Sequence, residues 1–179
     1  MNIVEAYKKA FNIIFHPSKL KKTKNIKETF IFFYSIATIP ILLTILFGFI
    51  FEPTLLFLVF YIVFAITFFL IIPFFIFISS GLYYILIKKL FNLYKNNFKD
   101  TFTAFIYSYL PYVLFFWLLL IPILGFLFYI ILVVWSFILS ILIFSKIFNI
   151  SKWKAFGTIF LNWIIWGFVL VAILFLLYL

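Results

Sequence analysis

Lys88-Lys89-Leu90-Phe91-Asn92-Leu93-Tyr94-Lys95-Asn96-Asn97-Phe98-Lys99-Asp100 is a polar island in the middle of a chain that is otherwise mostly hydrocarbon. On its N-terminal side, residues 28–87 carry only Glu28 and Glu52 as charges; on its C-terminal side, residues 101–145 carry none. A membrane-spanning helix needs roughly 20 apolar residues. Each flank therefore has room for two crossings, which return the chain to the side it left. Lysine clusters bound both flanks, from Lys8 to Lys27 and from Lys146 to Lys154, and the remaining residues 155–179 hold one crossing. Two, two and one make five.

The breaks inside the flanks agree. Phe51-Glu52-Pro53-Thr54 interrupts the first with an acidic residue and a helix-resistant proline; Ile121-Pro122-Ile123-Leu124-Gly125 interrupts the second. Neither contains lysine, so all fourteen lysines fall on one side, which the positive-inside rule makes the cytoplasm. The expected fold is an all-α polytopic bundle in the cell membrane, with a cytoplasmic N-terminus and an extracytoplasmic C-terminus. A cytoplasmic segment, 1–28, precedes a transmembrane domain, 29–179, with spans of about 29–51, 55–87, 102–120, 123–145 and 155–178. The second would run to about 50 Å against a hydrocarbon core of about 30 Å. It is expected to tilt, to bend at Pro73, or to leave the bilayer near Ser79-Ser80-Gly81.

Composition requires the same solvent. Hydrophobic residues make up 69% of the chain and charged residues 10%, with mean hydropathy +1.35. A soluble domain is nearer half apolar and about a quarter charged. The net charge of +10 comes from lysine alone. Without arginine's planar fork, and with most of the chain in lipid, nucleic-acid binding is not expected. There is no cysteine, and His16 is the single histidine, so thiolate chemistry and a histidine metal cluster are excluded.

Before the first span, Val4, Tyr7, Phe11, Ile14 and Phe15 share one helical face, and Glu5, Lys8, Lys9 and Asn12 share another. This predicts an amphipathic interfacial helix ended by His16-Pro17. The following Lys19, Lys21, Lys22 and Lys24 form a polybasic link, a candidate site for anionic lipid at about 1 kcal/mol per lysine.

Inside the spans the sequence offers no charged residue. Asp100-Thr101 reads as an N-cap rather than a proton relay. No carboxylate pair or activated serine is available, so no enzyme, metal or cofactor is expected. Asn162 in the fifth span and Ser136 in the fourth are candidate interhelical polar contacts, with Tyr107 and Tyr109 as partners from the third. Pro40, Pro73 and Pro111 each remove a backbone donor and free the carbonyl four residues back.

Tyr107-Ser108-Tyr109-Leu110-Pro111 resembles the Y-S-x-x-P pattern of the third helix in the Yip1 domain family. His16-Pro17-Ser18-Lys19 resembles the N-P-x-K element before the first helix of prokaryotic members. Ile121-Pro122-Ile123-Leu124-Gly125 is similar to the turn after the third helix, and Lys152-Trp153-Lys154-Ala155 to the basic entry of the fifth. The eukaryotic D-L-Y-G-P element is absent. The resemblance implies a five-helix, N-inside, non-enzymatic membrane protein, acting in membrane organisation through protein contacts, lipid contacts and oligomer formation. A second reading is a small permease or channel subunit, with kinked helices around a cavity lined by Asn162, Ser136, Tyr107 and Tyr109.

Overall fold

The computed structural model describes residues 2–20, 25–51, 55–91, 97–121 and 124–178, with only a few of the side chains between 55 and 72. Among the described residues the ordered elements are all helical. Helix α1 (Ile3–Phe15) leads through a 3-10 turn (Pro17–Lys19) to α2 (Ile26–Phe51) and α3 (Leu55–Phe91). Then come α4 (Phe98–Ser108), α5 (Leu110–Phe115), a second 3-10 turn (Phe116–Leu120), α6 (Leu124–Phe148) and α7 (Lys152–Tyr178).

Among the described residues four stretches are long and apolar enough to cross a membrane: Ile26–Phe47, Phe98–Leu119, Leu124–Phe148 and Lys152–Leu176. Their outer faces carry bare hydrocarbon, with Phe126 71%, Phe168 72% and Leu176 72% exposed. Contiguous apolar surface of this kind requires lipid rather than water as solvent. Helix α3, at 37 residues, runs to about 55 Å. It passes Ser79-Ser80-Gly81 without ending, because the Ser80 hydroxyl donates to the Ile76 carbonyl (2.6 Å) and is satisfied within the helix.

The helices outrun the expected spans at their lysine-bearing ends. α2 begins at Ile26, α3 reaches Phe91, α4 begins at Phe98, α6 reaches Phe148 and α7 begins at Lys152. These ends gather around one side chain. Tyr83 of α3 packs against Phe105 of α4 (5.4 Å between ring centroids) and Phe144 of α6 (4.4 Å), and its hydroxyl meets Thr158 of α7 at 2.6 Å. Thr29 and Thr103 hydroxyls, 3.2 Å apart, tie α2 to α4.

Helix α4 is the axis of the bundle, packed by α2, α3 and α6. Within the stretch Phe98–Leu119, 67% of the most apolar window is buried, against 12% for Lys152–Leu176. Its composition explains the position: Thr101, Thr103, Ala104 and Ser108 are small enough for neighbouring backbones to approach closely. Ser108 returns its hydroxyl to the Ala104 carbonyl (2.7 Å), so that donor is satisfied within the helix.

Two expectations for this span need correction. Asp100 is not the N-cap: Asn97 occupies that position and its carbonyl accepts from Asp100 N (3.0 Å), which leaves Asp100 in the first turn, where a carboxylate still complements the helix dipole. Pro111 does not kink a continuous helix. It stands in the first turn of α5, and Tyr109 (φ −86°, ψ 0°) breaks α4 from α5. A proline tolerates the start of a helix because no donor is needed there.

The start of α6 packs against the second 3-10 turn. A Cβ on buried Gly125 would collide with the Leu119 carbonyl oxygen and lie 3.0 Å from its carbon. Overpacking costs about 1–3 kcal/mol, and alanine returns about 1 kcal/mol of helix propensity. Gly125→Ala should therefore destabilise by roughly 1–2 kcal/mol, read as a lower midpoint of detergent-induced unfolding. An unchanged midpoint would mean that the 3-10 turn yields without penalty.

Candidate functional site

Helix α1 begins with a reciprocal cap: Val4 N donates to Asn2 Oδ1 (3.3 Å) and Asn2 N to Glu5 Oε2 (3.4 Å). Its apolar residues do not form the single face that periodicity suggests. Ala6, Ala10, Ile13 and Ile14 are buried against the bundle, whereas Val4 (58%), Phe11 (41%) and Phe15 (62%) remain exposed beside Lys8, Asn12 and Glu5. The two alanines let α1 lie close to the bundle, and the large side chains are left to cover its free flank.

One hydrogen bond fixes this docking, and its cause is a proline. Pro40 has no N–H, so the Ile36 carbonyl lacks its helical donor. The Tyr7 hydroxyl donates to that carbonyl at 2.6 Å. Burial pushes the Tyr7 phenol from 10.0 up to about 12, which keeps it a donor. A raised phenol pKa means that this contribution to docking is complete below pH 10 and is lost as pH climbs through about 12. Exposure of a cysteine placed at Ala10 should rise over that interval, and a Tyr7→Phe background should remove this component. An identical profile in both backgrounds would detach the effect from Tyr7.

Lys9, expected on the polar face, is half-buried. Its Nζ lies 4.8 Å from the Phe32 ring centroid and 5.5 Å from that of Tyr107. Burial lowers its pKa, and the Glu28 carboxylate partly opposes the shift. Tyr107 is fully buried, edge-on to Phe32 at 5.4 Å. It thus serves the α1 side of α4.

Tyr109 faces elsewhere. With Tyr112, Tyr129, Val133, Ser136 and Trp163 it lines a cavity of about 290 Å³. Ser136 is the middle residue of α6, about 18 Å from either end. The Ser136 hydroxyl and Asn162 Oδ1 are buried and make no hydrogen bond among the described residues. Of the four residues expected to form interhelical polar contacts, Ser136 and Tyr109 share the cavity, whereas Asn162 and Tyr107 do not line it. Polar contacts that bridge elements among the described residues include Tyr7–Ile36, Thr29–Thr103 and Tyr83–Thr158. Of these, the Tyr7 bond had a signal in the sequence: Pro40 announces a free carbonyl at position 36.

Lys21, Lys22 and Lys24 lie outside the described residues, as does the side chain of Lys19, whose backbone closes the first 3-10 turn. A family model, the Yip1 domain, matches residues 11–174. Comparison with curated proteins and with solved structures finds no significant match.

Proposed function

Because the chain belongs to the Yip1 domain family, we propose that it is a non-enzymatic, multi-pass protein of the cell membrane, organising its surroundings through protein and lipid contacts at the cytoplasmic face. In this reading α3 is a span as well, the second in chain order, which brings the four to five; the lysine-bearing ends are cytoplasmic and the C-terminus is outside. The observation that carries the reading is α1: docked by its alanines, it turns Val4, Phe11 and Phe15 outward beside a polar edge, the arrangement of an interfacial helix.

The native chain has no cysteine, so each introduced cysteine is unique. Residues 96 and 18 should be labelled from the cytoplasmic side, and residues 54 and 179 from outside. A C-terminus labelled from the cytoplasm would remove one span from the count. Spin labels at Phe11 and Lys8 should report lipid and water respectively; equal water access at both would end the interfacial reading of α1. Replacing Lys19, Lys21, Lys22 and Lys24 with glutamine should lower the enrichment of anionic lipid around the full chain in mixed bilayers, at about 1 kcal/mol per lysine. Unchanged enrichment would remove the link from the lipid contacts.

The cavity at Ser136 favours a second reading, a small permease or channel subunit. Water-soluble thiol reagents should then reach a cysteine at position 136 from one side of the membrane. A position that stays unreactive from both sides would exclude it.

A further inference from the structure

A second hollow lies at the lysine-bearing end, between the first 3-10 turn and the junction of α6 with α7. It has a volume of about 490 Å³. Its polar lining carries two cations, Lys146 from the last turn of α6 and Lys152 from the first residue of α7, with His16 and Ser18 approaching from the N-terminal segment. Among the described residues no carboxylate lines it. Asn149 also contributes, held at φ 58° in the left-handed region that asparagine tolerates better than most residues. This tight junction is fastened by Ser145, whose hydroxyl donates to the Ile150 carbonyl at 2.7 Å. It brings Lys146 and Lys152 to one hollow although six positions separate them in sequence.

The same hollow also has an apolar lining, supplied by Phe15, Leu142 and Ile150, and Phe15 is 62% exposed. A hollow with cationic and hydrocarbon linings, at the ends of two membrane-length helices, matches a ligand that is anionic at one end and apolar at the other. A free inorganic anion would leave the hydrocarbon lining without a partner.

We propose that this hollow is a binding site for the phosphate headgroup of an anionic membrane lipid. Lys146, Lys152 and Ser18 take the phosphate oxygens, and Phe15 and Leu142 receive the glycerol and upper acyl chain. The site deepens the lipid-contact reading given above and rests on it, but it is separate from the 19–24 link. It is a seat of defined stoichiometry on the bundle, whereas the link would supply diffuse attraction.

The test uses the full chain in nanodiscs of phosphatidylcholine with phosphatidylglycerol as the minor component, counting retained lipid by native mass spectrometry. Both faces of a nanodisc are accessible, so an error in membrane orientation leaves this result untouched. Wild type should retain phosphatidylglycerol, and Lys146→Gln with Lys152→Gln should weaken its retention roughly thirtyfold. Lys146→Arg with Lys152→Arg keeps the charge and should bind as wild type. The quadruple glutamine variant of the link should keep the retained lipid even if bulk enrichment falls. Equal retention in the Gln/Gln variant would overturn the site, as would equal loss in the Arg/Arg variant. Displacement of the lipid by millimolar inorganic phosphate would overturn the lipid assignment in favour of a free-phosphate site.

Discussion

Tyr83→Ala is expected to cost about 3–5 kcal/mol, the range for removing a large buried aromatic side chain. The ring is fully buried where α3, α4, α6 and α7 meet, in contact with Phe105, Phe144 and Phe148. In lipid there is no hydrophobic drive between helices, so such packing carries a larger share of the association. The expected result is a large loss of resistance to detergent-induced unfolding, followed by tryptophan fluorescence. Tyr83→Phe should behave differently. Thr158 Oγ1 donates to the Lys154 carbonyl (2.9 Å) and the Ala155 carbonyl (3.0 Å), so its proton is committed and Tyr83 must be the donor between them. Losing that donor strips Thr158 of one incoming bond but strands no proton. The cost should be near the bilayer average of about 0.6 kcal/mol. Similar costs for the Ala and Phe variants would show that the hydroxyl, rather than the ring, holds the four ends together.

Tyr7→Phe should be the costlier hydroxyl deletion, although both hydroxyls reach their partners at 2.6 Å. Its acceptor, the Ile36 carbonyl, has lost its helical donor to Pro40, so deletion leaves a backbone acceptor with nothing in its place. Stranding a buried polar group costs about 1–3 kcal/mol. Here the loss falls on the docking of α1, and should appear as a roughly 5- to 100-fold rise in reactivity of a cysteine placed at Ala10. Pro40→Ala supplies an N–H to the Ile36 carbonyl. In that background Tyr7→Phe should cost markedly less, a coupling of about 1–2 kcal/mol between residues 33 positions apart in sequence. Additive costs would mean that the proline and the tyrosine act independently.

The contrast shows what the sequence could and could not disclose. Long apolar runs and lysine-tipped ends are properties of single helices, and they are legible because each helix meets lipid on its own account. His16-Pro17 ends α1 as its chemistry requires. The orientation of α1 was not legible, because periodicity weights large side chains and therefore favours Val4, Phe11 and Phe15. Docking selects small ones, and Ala6 and Ala10 win. Asn96, Asn97 and Asp100 are all competent caps, and packing of α4 against α3, rather than local propensity, sets the boundary at Asn97. Ser79-Ser80-Gly81 looks like a breaker only while its hydroxyls are imagined facing outward. The cavity at Ser136 needs three helices to close it, and its residues have no recognisable spacing.

The axial place of α4 also bears on how the protein is made. The helix that α2, α3 and α6 surround is synthesised before α6, which completes its enclosure. Until α6 emerges, the side of α4 that presents Phe105 to Phe144 has no protein against it and must wait, facing lipid or the insertion machinery. A ribosome stalled between α5 and α6 would therefore leave the central helix of the bundle only partly enclosed. Membrane surveillance would have a means of telling an unfinished chain from a finished one.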